Sequence, residues 1–280
     1  MNKIDFEIKS IDQIINASCV TKEGSLVDQI YSVLRENIIN LSLPPEMGLV
    51  EKEIAAIFQI SKTPVREALI RLSNDRLVNI VPKSGSYVTS ISLERYLEAC
   101  FIRVTLESGC VKRLAEQGIS LSQQVKLKSL IIEEQQMREN KTSDNNKLGH
   151  PPGFEINEQF HRTLFEYAGI LGAWYLLDSS KAEMERVWQL EKKIGVRRSC
   201  DAISEHYNVV EAIINRDPIA AAELMADHIG DVDGEMDIIS KNPQLIRSME
   251  EFNLLISEQR KRKSAGKFNG KLLIGNRVVL

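Results

Sequence analysis

Apolar residues recur every three or four positions along most of the chain, which is the spacing of one face of an α-helix. In the N-terminal part this pattern predicts a helix from Leu26 that ends before the Pro44-Pro45 pair, because proline cannot continue a helix. Two shorter helices follow at 51–58 and 62–74, joined by a three-residue link. The second has one apolar face, made by Val65, Ala68, Leu69 and Leu72.

The spacing then changes to that of β-strands. Runs at 78–81 and 87–89 flank a turn-forming segment, which predicts a hairpin with its tip at Lys83–Ser86. A helix, a short helix, a tight turn, a second helix and a hairpin is the order of a winged helix-turn-helix. We therefore predict a winged helix-turn-helix with a small β-hairpin wing over residues 25–92.

From residue 93 to about residue 240 the pattern is nearly all helical, interrupted by a polar loop at Lys141–Gly153. The predicted helices are Glu94–Ala115, Ser122–Asn140, Phe154–Tyr167, Gly172–Lys193, Asp201–Asn215 and Pro218–Ile239. The fold class is thus mainly α, with an all-helical bundle after the winged helix. Residues 1–24 form an extension of unknown role. Residues 241–280 are predicted as a short helix and a basic tail, which is most often a solvated or disordered end.

Composition narrows the class of protein. With 43% apolar and 27% charged residues, the chain is an ordinary globular protein, and it has no apolar run of the ~20 residues that span a membrane. Its four cysteines lack CxxC spacing, which fits a reducing cytoplasm. The net charge of −3 excludes a protein coated in positive charge. The segment from Lys52 to Lys83, however, contains six Lys and Arg residues and three acidic residues.

This local basic character falls on the helix-turn-helix. Burial of its apolar face leaves Lys62, Thr63 and Arg66 at the exposed N-terminal end of the second helix, where the helix dipole favours phosphate. Lys83 at the hairpin tip could reach a neighbouring groove. A solvated helix with scattered charges explains the same pattern, so periodicity leaves DNA binding open. A single short helix reads few bases, and DNA binding would therefore require two copies on a palindromic operator.

Residues 25–90 resemble the DNA-binding domain of the GntR family, through the stretches LPPEMGLVEKEIAAIF and ISKTPVREALIRLSNDRLVNIVPKSGSYV. The resemblance implies that Lys52, Lys62 and Arg66 contact double-stranded DNA and that Gly85 lies in the wing. Arginine is common in the family at the positions of Lys52 and Lys62. Lysine keeps the attraction to phosphate but lacks the fork that reads guanine, so Arg66 is the stronger candidate for a contact with a base edge or a tight contact with phosphate.

Three of the four histidines lie in predicted helices. Asn157 and His161 are four residues apart and share a helix face. His206 and His228 are each eleven residues from Asp217, so they would lie level in an antiparallel helix pair. Three imidazoles could then bind one metal ion. Taken singly, each histidine is more simply a core or surface residue.

Residues 96–232 resemble the helical FCD effector domain of the FadR-type branch of GntR regulators. The resemblance rests on Arg103-x-x-x-Glu107, Asn157-Glu-Gln-Phe-His161, Glu205-His206 and His228. It implies a divalent metal bound by Asn157, His161, His206 and His228, with a small carboxylate effector completing the coordination.

Two residues in these stretches bear on the charge of the predicted metal site and on the effector that it would bind. Asn157 replaces the usual aspartate, so it offers an oxygen without a charge and raises the net charge of the site by one. Three imidazoles and one oxygen suit zinc, nickel or manganese. Arg103 could pair with an effector carboxylate, or it could form an intrahelical ion pair with Glu107.

The predicted function is a homodimeric regulator of transcription that is not an enzyme and whose operator binding responds to a small organic acid. Two alternatives stay open. The metal could be purely structural, or the histidines could activate water in a hydrolase with Glu158 or Glu205 as base. Each of these two acids is adjacent in its helix to a predicted metal ligand and therefore points roughly 100° away from it.

Overall fold

The computed structural model describes residues 10–15, 24–140, 152–195, 201–230, 232–264, 272–274 and 277–279, with side chains as far as Leu254. The helices of the N-terminal third are α1 Ile11–Ile14, α2 Leu26–Ile39, α3 Glu51–Phe58 and α4 Lys62–Asn74. Those that follow are α5 Leu93–Gln117, α6 Leu121–Asn140, α7 Phe154–Tyr167, α8 Leu171–Ile194, α9 Ala202–Ile214, α10 Pro218–Ile229, α11 Val232–Lys241 and α12 Pro243–Ser264. The strands are β1 Gly48–Leu49, β2 Val78–Val81, β3 Gly85–Val88, β4 Leu272–Ile274 and β5 Arg277–Val279.

The chain divides into two compact units. The first comprises the described parts of residues 1–92, 186–195 and 242–280, and the second those of 93–185 and 196–241. The sequence prediction differs from this division, because it placed 186–193 in the helical bundle and treated 241–280 as a separate segment. The mainly α fold class with an N-terminal winged helix is confirmed.

The first unit is built on α2 and α4. The side chain of Ser25 caps α2 by accepting the N–H of Asp28 at 3.3 Å. The apolar stripe of α2 and the predicted face of α4 are buried against each other. The bounds of α3 and α4 coincide with the prediction. Burial of one face leaves the other face of α4 exposed to solvent.

The wing is an antiparallel sheet of order β1-β3-β2. Val81 pairs with Gly85, so the turn consists of residues 82–84 and is shorter than the predicted tip. Gly85 and Ser86 therefore belong to a strand. Sequence periodicity did not predict β1, because two residues carry no periodic signal and this strand exists through its pairing with β3.

Helix α12 is anchored within the first unit. The side chain of Asn253 accepts the N–H of Ile91 at 2.8 Å and donates to the Ile91 carbonyl at 2.9 Å. Phe252 is fully buried beside it. In the same unit, Arg186 donates from Nη2 to the Thr89 carbonyl at 2.6 Å. The predicted short helix is thus 22 residues long and includes the first part of the basic tail.

Several predicted segments lie wholly or partly outside the described residues. Of the N-terminal extension, α1 is described, and its Ile11 and the following Ile15 are buried. Most of the predicted polar loop at 141–153 falls outside, as do residues 265–271 of the basic tail. The pairing of β4 with β5 was not predicted.

The second unit has a single apolar core formed by α5, α6, α7, α9, α10 and the first half of α8. Asp217 caps α10 by accepting the N–H of Ala220 at 3.0 Å, and Pro218 occupies the first turn, where its missing N–H costs nothing. The predicted helix at 218–239 is wrong in one respect. The chain leaves the helix at Gly230, whose φ of 84° is not helical, and restarts it at Val232.

Within the described ranges, no helix combines the length and the apolar character needed to cross a bilayer.

Candidate functional site

The predicted DNA-contacting side chains of α3 and α4 are all exposed. Lys62, Thr63 and Arg66 form the first turns of α4, and Lys52 is the second residue of α3. Ser61 is the N-cap of α4, but its side chain makes no capping hydrogen bond. The N-terminal end of α4 thus offers cations and backbone N–H groups on one exposed surface, as phosphate binding requires.

Arg66 has a specific partner. Its Nε donates to Glu51 Oε1 at 3.0 Å and its Nη2 donates to Glu51 Oε2 at 2.9 Å, which is a bidentate ion pair between α4 and α3. The hydrogen bond with Arg66 lowers the pKa of Glu51, and the charge of Lys62 acts in the same direction. Sequence periodicity gave no indication of this pair, because Glu51 and Arg66 belong to different helices.

The wing turn presents Lys83. This residue is exposed and has a φ of 64°, while Gly85 has a φ of 134°. The Tyr87 hydroxyl donates to the Ser84 carbonyl at 2.8 Å and braces the turn. A side chain at Gly85 would meet the Tyr87 hydroxyl at 3.3 Å and would also be strained, so glycine suits this position.

In the second unit, three histidine side chains from α7, α9 and α10 converge. His206 Nε2 lies 3.0 Å from His228 Nε2, and His228 Nε2 lies 3.4 Å from His161 Nε2. One nitrogen from each ring lies within 4.8 Å of the others. The level placement of His206 and His228 follows from the turn at Asp217, which is equidistant from both.

A carboxylate stands behind each histidine. Glu107 Oε2 contacts His161 Nδ1, Glu205 Oε2 lies 2.7 Å from His228 Nδ1, and Glu134 Oε2 lies 3.2 Å from His206 Nδ1. The contact at His206 lacks good hydrogen-bond angles. An ionised carboxylate can only accept a hydrogen bond, so the contacts of Glu107 and Glu205 favour the tautomers of His161 and His228 that carry the proton on Nδ1.

In this tautomer the Nε2 lone pairs of His161 and His228 point toward Nε2 of His206. Burial lowers the pKa of His161 to about 4 and that of His228 to about 3, so these two rings are neutral at neutral pH and can act as ligands. The donor set therefore fits a divalent metal ion with imidazole ligands.

Arg103 is buried and donates from Nε to Glu107 Oε1 at 2.9 Å. The intrahelical pair that the sequence left open is thus present. Burial by itself would raise the pKa of Glu107, but the interactions with His161 and Arg103 outweigh it and lower this pKa well below its usual range. Glu107 links the guanidinium to the histidine ring.

Asn157 lies one turn before His161 on α7 and is half-buried. Among the described residues, no hydrogen bond joins its side chain to the three histidines. Its neighbour Glu158 accepts from Lys181 Nζ at 2.7 Å. The three histidines are therefore brought together, and Asn157 shares their side of α7.

Sequence reasoning missed the carboxylates behind the rings. Glu205 does turn away from His206, but it reaches the outer nitrogen of His228 on the next helix. His206 and His228 lie level because each is eleven residues from Asp217. The same residue count could have indicated the contact between Glu205 and His228. For Glu134, which also pairs with Arg138, no signal at the sequence level existed.

An exposed basic helix-turn-helix with a wing, joined in one chain to a helical domain with a buried histidine cluster, defines a DNA-binding transcriptional regulator. Residues 26–88 match the family model described as bacterial regulatory proteins of the gntR family, and residues 98–231 match that of the FCD domain. The chain belongs to the GntR family of bacterial regulatory proteins and carries an FCD domain. It is a regulator and not an enzyme, so the hydrolase alternative is dropped.

Relatives of known sequence agree with this assignment. The HTH-type transcriptional repressor RspR of Escherichia coli K12 is 30% identical over 211 residues, which are 73% of this chain and 86% of RspR. An uncharacterized HTH-type regulator in an unstable DNA locus of Streptomyces ambofaciens is 28% identical over 221 residues, covering 77% and 87% of the two chains. The solved structure of E. coli McbR/YncC shares the fold, with 19% identity, a TM-score of 0.58, and coverage of 79% of this chain and 99% of McbR.

Proposed function

We propose that this regulator binds its operator as a homodimer and that a small organic acid, bound at a divalent metal in the FCD domain, controls operator affinity. The observation that carries the proposal is the convergence of the Nε2 atoms of His161, His206 and His228, each backed by a carboxylate. The assignment of the chain to the GntR family of DNA-binding regulators does not depend on this histidine cluster.

On the DNA side, we assign phosphate contacts to Lys52, Lys62, Thr63 and the wing residues Lys83 and Gly85. Arg66 is assigned a contact with a base edge. Their exposure and the helix N-terminus beneath them support this assignment. Two copies related by a twofold axis would place two such helices in successive major grooves.

On the effector side, the three histidines are the proposed ligands, and the amide oxygen of Asn157 would supply a fourth. Zinc, nickel and manganese all accept this donor set. A bound divalent ion would supply positive charge and coordination positions for a carboxylate. The carboxylates behind the rings would hold the imidazoles in orientations that direct Nε2 toward the metal.

Charge explains why the effector should be an acid and should need the metal. Around the three histidines lie three carboxylates, Glu107, Glu134 and Glu205, and two guanidiniums, Arg103 and Arg138. These five charged groups carry a net charge of −1, which repels an anion. With a divalent ion this net charge becomes +1, which attracts one.

Arg103 is the proposed partner of the effector carboxylate. Its Nε is engaged by Glu107, and a guanidinium that is fixed in this way is well suited to bind a second carboxylate. An acid that bound there would change the local charge around Glu107 and His161. The acid would change operator affinity only if it bound the DNA-bound and the DNA-free arrangements of the protein with different affinities.

The direction of regulation is proposed from the relative RspR, which is named a repressor. By this likeness the chain would repress transcription, and the acid would release it from the operator.

The test uses metal-free full-length protein reloaded separately with zinc, nickel or manganese. A thermal-shift screen of small carboxylic acids identifies ligands, and fluorescence anisotropy then measures affinity for a duplex selected in vitro from a random library. We expect acids to raise Tm and weaken DNA binding in the metal-loaded protein only. His228→Asn should abolish both effects. His150→Asn, which removes the histidine not assigned to the site, should preserve them.

Two results would contradict the proposal. Equal acid binding with and without metal would remove the metal from the effector site. A metal-dependent rise in Tm with no acid that alters DNA affinity would support the alternative of a structural metal. The Arg103 assignment is tested with Arg103→Lys, against the exposed Arg162→Lys on α7. We expect reduced acid affinity at unchanged metal content for Arg103→Lys alone.

A further inference from the structure

A carboxylate lies among the cations of the DNA-contacting surface. Glu51 is the first residue of α3, precedes Lys52, and forms the bidentate pair with Arg66 of α4. The charge of Lys62 also acts on it. A negative charge at this place repels DNA phosphates, so it weakens nonspecific binding. The ion pair of Glu51 with Arg66 indicates how this negative charge can nevertheless contribute to DNA recognition.

The geometry of the pair determines which part of Arg66 is left for DNA. A guanidinium has five N–H groups, and Glu51 engages the side edge made by Nε and Nη2. The end edge, made by Nη1 and the second N–H of Nη2, lies away from the carboxylate. This end edge is the fork that donates two parallel hydrogen bonds to O6 and N7 of guanine.

We propose that Glu51 is a positioning residue that determines DNA specificity, because it holds Arg66 by its side edge and presents the end edge to a guanine in the major groove. The inference rests on the proposed base contact of Arg66. Without Glu51, the long side chain is free to bind the nearest phosphate. Glu51 therefore lowers affinity for DNA in general and raises discrimination between sequences.

A purely structural role for the pair predicts something different. The side chain of Arg66 is 65% exposed and that of Glu51 is 27% exposed. Exposed ion pairs contribute little to folding stability, so variants at both positions should fold. A structural pair would leave the ratio of specific to nonspecific affinity unchanged when it is removed.

The experiment compares full-length wild type, Glu51→Gln and Glu53→Gln. Glu53 lies on α3 two residues after Glu51 and is exposed, and within the described part of the chain its side chain forms no ion pair. Both variants remove one negative charge from the same helix. Anisotropy titrations at several salt concentrations use two duplexes, one selected in vitro by the wild type and a shuffled duplex of equal length.

For Glu51→Gln we expect the ratio of specific to nonspecific affinity to fall about tenfold, the size of one lost bidentate base contact. Affinity for the shuffled duplex should rise, and its salt slope should steepen by about one phosphate contact. Glu53→Gln should raise both affinities alike and keep the ratio. A selected duplex with 7-deazaguanine, which lacks N7, should bind wild type more weakly and should bind Glu51→Gln nearly as well as the unmodified duplex.

Arg66→Ala distinguishes the base contact of Arg66 from the positioning role of Glu51. If it loses operator affinity while Glu51→Gln behaves as Glu53→Gln does, the positioning role is overturned and the Arg66 contact stands. If Arg66→Ala retains both the affinity and the ratio, the base contact and the positioning role are both overturned.

Discussion

At the scale of single residues, the carboxylates behind the histidines matter as much as the rings. The hydrogen bonds of Glu107 and Glu205 fix the tautomers of His161 and His228, and the tautomer decides whether Nε2 offers a lone pair or a proton to the centre of the cluster. Glu205 is the most accessible of the three to experiment. Its side chain is one-third exposed, and its contact with His228 Nδ1 at 2.7 Å is its only recorded ion pair among the described residues.

Glu205→Gln should therefore reduce metal affinity about 10–100-fold with little effect on folding. The amide still accepts a hydrogen bond but no longer raises the basicity of the ring. Competition with a chromophoric chelator measures the affinity. The matched control is Glu211→Gln on the same helix, an exposed residue that pairs with Lys128. Equal affinities for the two variants would show that Glu205 does not tune the site.

At the scale of elements, a glycine determines where α10, the helix that carries His228, ends. Gly230 has a φ of 84° with a ψ of 132°, a conformation that glycine adopts and other residues avoid. A side chain there would also approach the Glu235 carboxylate at 3.2 Å. His228 lies two residues earlier, so the turn at Gly230 limits the helix that carries it.

Gly230→Ala should destabilise the protein by about 1–3 kcal/mol, because alanine is strained in this region of φ and ψ. Gly109→Ala should do the opposite. Gly109 lies in the interior of α5, where an added Cβ meets no atom within 4 Å, and alanine is a better helix former by about 0.5–1 kcal/mol. Urea denaturation of both variants measures the difference. A Gly230→Ala variant as stable as wild type would contradict the assigned backbone strain.

At the scale of the whole molecule, the buried histidines couple stability to pH. The folded pKa values of about 4 for His161 and about 3 for His228 lie below the ordinary value of 6.5. The unfolded chain therefore binds protons more readily than the folded one. Their contribution to stability is fully present above about pH 6.5 and is lost as the pH falls toward 4 and 3.

Metal-free protein should thus lose stability between pH 6.5 and 4 at up to about 1.4 kcal/mol per pH unit for each histidine. Thermal unfolding at a series of pH values measures this, with emission from Trp174 reporting on the second unit. His228→Gln should flatten the dependence, and His150→Asn should not. An identical slope in wild type and His228→Gln would refute the assignment.

Much of the fold could be predicted because it depends on short-range rules. The 3.6-residue period and the nearby turn residues located α3 and α4 to the residue. The level placement of His206 and His228 followed from counting residues around one tight turn. Both are properties of neighbouring residues along the chain, which a linear pattern records directly.

The remaining features join residues that are distant in the sequence, and a linear pattern does not record such contacts. The pairs of Glu107 with His161 and of Glu51 with Arg66 connect different helices, and Asn253 of α12 binds the backbone of Ile91. Strand β1 exists through its pairing with β3. Local periodicity thus specified the helices, whereas long-range packing specified which charged groups lie next to the three histidines and next to Arg66.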